Sequence, residues 1–140
     1  MNYTSQHGIP LESCYPYTAK NGTCKNICPS PRYKIAGVNR LSDKNESTYA
    51  EALFLGGPIP FWLNIPRPVL NYKSGILDFP EKECAEQSKG SHFMVLVGYT
   101  PTYWIAKNCW GRDWGEDGYM RFKRGQNFCN MTRSVFQPYL

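Results

Sequence analysis

The stretch SHFMVLVGYTPTYWIAKNCWG, residues 91–111, decides the fold. It holds two apolar runs, Phe93–Tyr99 and Tyr103–Lys107, joined only by Thr100-Pro101-Thr102. A connection that short links antiparallel strands in a hairpin. The register then settles which side chains meet. If Tyr99 pairs with Tyr103, paired positions sum to 202 and His92 lies diagonal to Asn108; if the loop opens by one pair, the sum is 200 and the two are opposite. Both sums are even, so His92 and Asn108 share a face in either register, about 5–8 Å apart. An odd sum would turn His92 toward Cys109 and break the pairing.

Working outward, Ile59, Phe61, Leu63 and Ile65 alternate with Pro60, Trp62 and Asn64, which predicts a half-buried strand. Before it, Asn45-Glu46-Ser47 offers a helix N-cap, with Tyr49, Ala52, Leu53 and Gly56 following at helical spacing. Gly56-Gly57-Pro58 ends that helix. Pro66 to Gly90 reads as a loop rich in proline and charge, and Gly111 to Gly118 as a turn region whose acids, Asp113 to Asp117, do ordinary exposed turn chemistry. Tyr119–Arg124 and Ser134–Tyr139 are further strands, as is Tyr33–Leu41 upstream. Residues 1–10 read as a polar tail entering a turn, and Leu11 to Pro31 as an irregular, crosslinked loop. One helix followed by several antiparallel strands implies a barrel-like β domain without internal repeat.

Composition narrows the setting. Net charge is +5 with no dense basic stripe, which argues for a solvated surface and against nucleic-acid binding. No stretch reaches the roughly 18 apolar residues of a membrane span. Six cysteines but only two histidines, in no paired ligand spacing, leave no case for a zinc site. The sequons at Asn2, Asn21, Asn45 and Asn130, together with the cysteines, favour an oxidising compartment. The residues after Met1 carry neither a basic nor an apolar leader region, so a missing N-terminal segment is expected.

A histidine held by an amide oxygen is what thiol catalysis needs. The imidazole takes the thiol proton and later returns it to the leaving amine. A neutral amide orients the ring without trapping that proton. Trp110 stands where it would cover the hydrogen bond. Ser91 through Tyr99 resembles the histidine motif of papain-like cysteine proteases. Tyr103 through Gly111, followed by Trp114-Gly115-Glu116-Asp117-Gly118-Tyr119, resembles their asparagine motif, with Cys109 where a serine usually stands. Weaker matches at Gly8-Ile9, Tyr15-Pro16-Tyr17, Cys24, Gly56-Gly57-Pro58-Ile59, Tyr72-Lys73-Ser74-Gly75-Ile76 and Cys129 extend the resemblance over nearly the whole chain.

The resemblance implies an α+β papain-like fold: residues 1–35 as a remnant of the helical left domain and 36–140 as the right-hand antiparallel β-barrel domain. It implies His92 and Asn108 as catalytic residues, Trp110 as their shield, and Trp62, Phe93 and Ser134 at the main specificity pocket. Phe93 departs from the family's usual Ala or Gly. It also implies a Cys84–Cys129 disulfide. Cys24 matches a cysteine whose partner lies upstream, leaving three possible pairings among Cys14, Cys24 and Cys28. No metal or other cofactor is implied. The expected partners are a peptide or protein substrate, cystatin-like inhibitors and the missing N-terminal half, in a lysosomal or secreted setting. Nothing in the chain matches the family's nucleophilic cysteine motif. Cys109, next to Asn108, is expected on the opposite face as a packed small residue. Three functions compete: part of an endopeptidase, an inactive papain-fold protein binding peptides or inhibitors, and a truncated product without a stable fold.

Overall fold

A computed structural model describes residues 2–25, 27–28, 31–41 and 44–140, with the side chain of Asn2 outside that set. The order of elements is α1 (Asn2–His7), β1 (Gly37–Leu41), α2 (Glu46–Gly56), β2 (Ile59–Pro66), α3 (Arg67–Leu70), β3 (Ile76–Leu77), α4 (Glu81–Glu86), β4 (Ser88–Tyr99), β5 (Tyr103–Lys107), β6 (Tyr119–Lys123), a 3-10 segment (Phe128–Arg133) and β7 (Val135–Tyr139). Residues 1–38 with 138–140 form one compact unit and residues 39–137 another. No described helix is long and apolar enough to cross a membrane.

A seven-stranded sheet runs in the order β1-β7-β2-β4-β5-β6-β3. The pairs β2–β4, β2–β7, β4–β5 and β5–β6 are antiparallel. The two-residue β3 runs parallel to β6, so the sheet is mixed where an antiparallel one is expected. Alternation along β2 buries Ile59, Phe61, Leu63 and Ile65. They meet Met94 and Leu96 of β4, Trp104 and Ala106 of β5, and Met120 and Phe122 of β6 in one apolar cluster. Each fully buried Leu, Ile or Phe side chain contributes about 1.5–3 kcal/mol relative to exposure.

α2 begins and ends where its cap residues dictate. The Asn45 side chain accepts a hydrogen bond from Ser47 N at 3.0 Å, and Gly57 adopts φ +79° at the other end. The residue after the cap does more. Glu46 is buried, and its carboxylate accepts from Trp104 Nε1 (2.6 Å), Gly125 N (2.7 Å) and Asn127 N (2.7 Å). A buried carboxylate supplied with three donors pins the start of α2 to β5 and to the turn after β6.

Two expected loops carry order. Residues 2–7 are helical rather than a polar tail, and the stretch from 66 to 90 contains α3, β3, α4 and the start of β4. Pro66 and Pro80 precede α3 and α4 as extended N-caps. At four and six residues, these helices are too short to show apolar periodicity. Cys84 of α4 and Cys129 of the 3-10 segment are bonded, both fully buried. Cys14 bonds Cys28, which resolves the three-way choice and leaves Cys24 exposed and free.

Candidate active site

The β4–β5 hairpin reaches the even register by an unexpected route. Near the turn, Tyr99 pairs with Trp104 and Gly98 with Ile105, positions summing to 203. A bulge between Leu96 and Gly98 absorbs one residue, and beyond it Val95 pairs with Lys107 and Leu96 with Ala106, summing to 202. The bulge therefore restores the even register at the end of β5, one residue short of Asn108. The two side chains meet, His92 Nε2 to Asn108 Oδ1, at 2.9 Å.

The protonation pattern of this pair follows from one more bond. Cys109 N donates to the same Asn108 Oδ1 at 2.8 Å, so the amide oxygen must face both groups. Reversing the amide would set its NH2 against a backbone N–H. With the oxygen so fixed, Nε2 must carry the hydrogen it donates, and Nδ1 is left as the basic nitrogen. Asn108 itself is held by its backbone N–H, which donates to Gly118 O at 2.9 Å.

Aromatic rings cover the imidazole. Trp110 stacks on His92 with centroids 4.7 Å apart and planes 24° from parallel. Trp110 in turn meets Trp114 edge-on at 5.3 Å, and Trp114 lies 5.6 Å from the Tyr72 ring. Trp114 Nε1 donates to Leu70 O at 3.1 Å, which anchors this aromatic chain to the end of α3. Gly115 adopts φ +62° there, and a Cβ would lie 2.5 Å from Tyr119 O. Only glycine fits that turn.

Glu116 corrects the expectation of plain turn chemistry. Its carboxylate takes both Nε (2.8 Å) and Nη2 (2.6 Å) of Arg121 and also accepts from Gly75 N at 2.9 Å. The Arg121 guanidinium, then the Gly75 N–H, hold its carboxyl down at about 2. Arg121 also lies 5.6 Å over the Tyr103 ring. This network ties the loop bearing Trp110 and Trp114 to the turn before β3.

Cys109 departs from expectation in a way that bears on chemistry. It is exposed rather than packed, and its Sγ lies 3.9 Å from His92 Nε2. β5 ends at Lys107, so strand alternation no longer governs Asn108 and Cys109. Yet the sulfur faces the nitrogen that already bears a hydrogen, not the basic one.

The remaining predicted residues lie on neighbouring strands. Phe93 pairs directly with Trp62, and Trp62 N donates to Ser134 O at 2.9 Å. The three form a row across β4, β2 and the residue that precedes β7, with Phe93 half exposed at 52%. Sequence reasoning missed Arg133, whose guanidinium lies 4.9 Å from the Trp62 ring centroid. Among the sequons, Asn21 and Asn45 are exposed and Asn130 is partly buried. No group of three or more metal-ligating side chains occurs among the described residues.

Residues 1–139 match the papain family cysteine protease profile. The chain belongs to the papain family of cysteine proteases. It is 37% identical over 139 residues to cysteine proteinase 3 of Solanum lycopersicum, covering 94% of this chain and 38% of that protein. It is 33% identical over 136 residues to pro-cathepsin H of Mus musculus, covering 94% and 40% respectively. The papain-family chain thus spans about two fifths of the length of these curated relatives. Among solved structures, the Carica candamarcensis cysteine protease in complex with E-64 superposes with a TM-score of 0.85 at 29% identity, over 99% of this chain and 65% of that one. Procathepsin L 3 of the Tenebrio molitor larval midgut gives 0.82 at 28% identity, over 99% and 46%. These likenesses establish the papain-like α+β fold of this family member.

Proposed function

We propose that this chain supplies the base-and-orienter half of a cysteine endopeptidase that hydrolyses peptide bonds, with the nucleophilic thiol coming from a segment outside these 140 residues. The observation that carries the reading is the Nε2–Oδ1 bond of 2.9 Å with Asn108 locked by Cys109 N, which leaves Nδ1 as the base. A thiol brought to Nδ1 passes its proton to the ring, and the thiolate attacks the carbonyl carbon of the substrate. The resulting imidazolium donates the proton to the leaving amine, giving an acyl-enzyme that water hydrolyses with the same base. Asn108 keeps the ring in one tautomer throughout, and the Trp110 ring keeps water from one face of the imidazole.

On this reading Trp62, Phe93 and Ser134 line a substrate pocket, residues 1–35 are the remnant of a left domain, and 36–140 are the right-hand β-barrel domain. Peptide substrates and cystatin-like inhibitors are its partners, in a lysosome or outside the cell. Glycans at Asn21 and Asn45 fit that setting, because both are exposed. A second reading, an inactive papain-fold protein binding peptides or inhibitors, draws support from Phe93. That large ring stands half exposed where the family carries a small residue.

The test joins the chain to an amino-terminal papain-family segment bearing the cysteine and measures cleavage of a fluorogenic peptide amide. Turnover that falls about 10²–10⁴-fold on His92→Ala supports the endopeptidase reading. A well-folded fusion that binds peptide but never cleaves it favours the second.

A further inference from the structure

We infer that Arg133, stacked on Trp62, makes the row Phe93–Trp62–Ser134 selective for peptides bearing an acidic side chain, an inference that rests on the peptide-binding part of the reading above. The row presents two large rings on paired strands, Phe93 opposite Trp62, at the edge of the base-bearing residue His92. His92 and Phe93 are consecutive in β4, so the row begins one residue along the strand from the base, with the Phe93 ring exposed.

A guanidinium lies against the row. Arg133 is exposed and lies 4.9 Å from the Trp62 centroid, which restrains a long side chain that would otherwise sample many rotamers. Arg40 Nη2 donates to the backbone Arg133 O at 3.3 Å, bringing a second guanidinium to the backbone of the same residue. Among the described residues no carboxylate forms an ion pair with either arginine, whereas Arg121 is fully engaged by Glu116. A cation held over an aromatic ring and unpaired by any carboxylate among the described residues is a ready partner for a carboxylate, which a guanidinium can engage through two N–H donors. The same cation repels a lysine or arginine side chain placed on the row, so it acts in both directions.

The test is a ¹⁵N NMR titration of the purified 140-residue chain with acetylated tetrapeptide amides. The peptides differ only in whether one position, scanned along the peptide, is Glu, Leu or Lys. The Glu peptides are expected to bind about three- to fivefold more tightly than the Leu ones at one position, with Lys weakest, as for an exposed ion pair. Shifts should centre on the Trp62 indole and Phe93. Arg133→Glu should invert the order and Arg133→Lys preserve it. Equal binding of all three peptides at Trp62 and Phe93, or an order unmoved by Arg133→Glu, overturns the charge selectivity and leaves the peptide site standing. Shifts at neither the row nor His92 up to saturating peptide overturn both.

Discussion

Asn108 holds the His92 ring through an amide oxygen that serves two donors at once, and the proposed chemistry turns on it. Sequence parity led to the expectation that it faces His92, but the bond from Cys109 N that fixes which end of the amide meets the ring leaves no signature in the sequence. That leads to a measurement on the imidazole itself. Long-range ¹H–¹⁵N correlation on the neutral ring should find the hydrogen on Nε2; Asn108→Ala should release the ring into a mixture of tautomers. An Nδ1-protonated ring in the unaltered chain would leave the base pointing at Asn108 and undo the assignment. Cys109 was the residue least legible from sequence. Its exposure arises because the strand stops one residue before Asn108, and alternation predicts nothing beyond a strand end.

At the scale of elements, legibility followed length and regularity. β2 declared itself by strict alternation and α2 by its caps, while α3, α4 and β3 were too short to leave a period. The bulge in β4 was invisible for a different reason. Leu96, Val97 and Gly98 form a continuous apolar run, and such a run reads the same in either register. Glu46 sat in plain view as a cap-region acid, but its three donors come from residues 58 to 81 positions away. Glu46→Gln replaces one accepting oxygen with an NH2 group facing those donors. It should cost about 2–4 kcal/mol in urea unfolding, since buried donors lose their acceptor. A loss below about 0.5 kcal/mol would mean that the site is wetter than its burial implies.

The Glu116–Arg121 pair makes a second claim at this scale, with a definite sign. Its folded carboxyl titrates at about 2 against an ordinary 4.5, so the unfolded chain binds the proton first as pH falls. The pair's contribution is therefore complete above about 4.5 and lost progressively down to about 2. Stability measured across that window should fall less steeply in Glu116→Gln than in the unaltered chain. Parallel curves would show that the pair is screened by solvent and adds nothing.

For the whole molecule, the family resemblance was legible over nearly the full length, because two long motifs occur in order. The pairing of Cys14 with Cys28 was not, since three cysteines in one loop offer no spacing argument among themselves. The Cys84–Cys129 bond closes a separation of 45 residues within the larger unit. Replacing both cysteines with alanine should lower the unfolding free energy by about 2–5 kcal/mol, read by urea denaturation; an unchanged midpoint would contradict a structural role.

On the proposed function, His92 serves a thiol from outside these residues, and neither free thiol of the chain, Cys24 or Cys109, stands in for it. Treatment of the purified chain with a peptidyl epoxide, with alkylated sites read by mass spectrometry, tests this most directly. Cys24 and Cys109 should label slowly, at rates that His92→Ala leaves unchanged. Fast labelling of Cys109 that disappears with His92→Ala would contradict it.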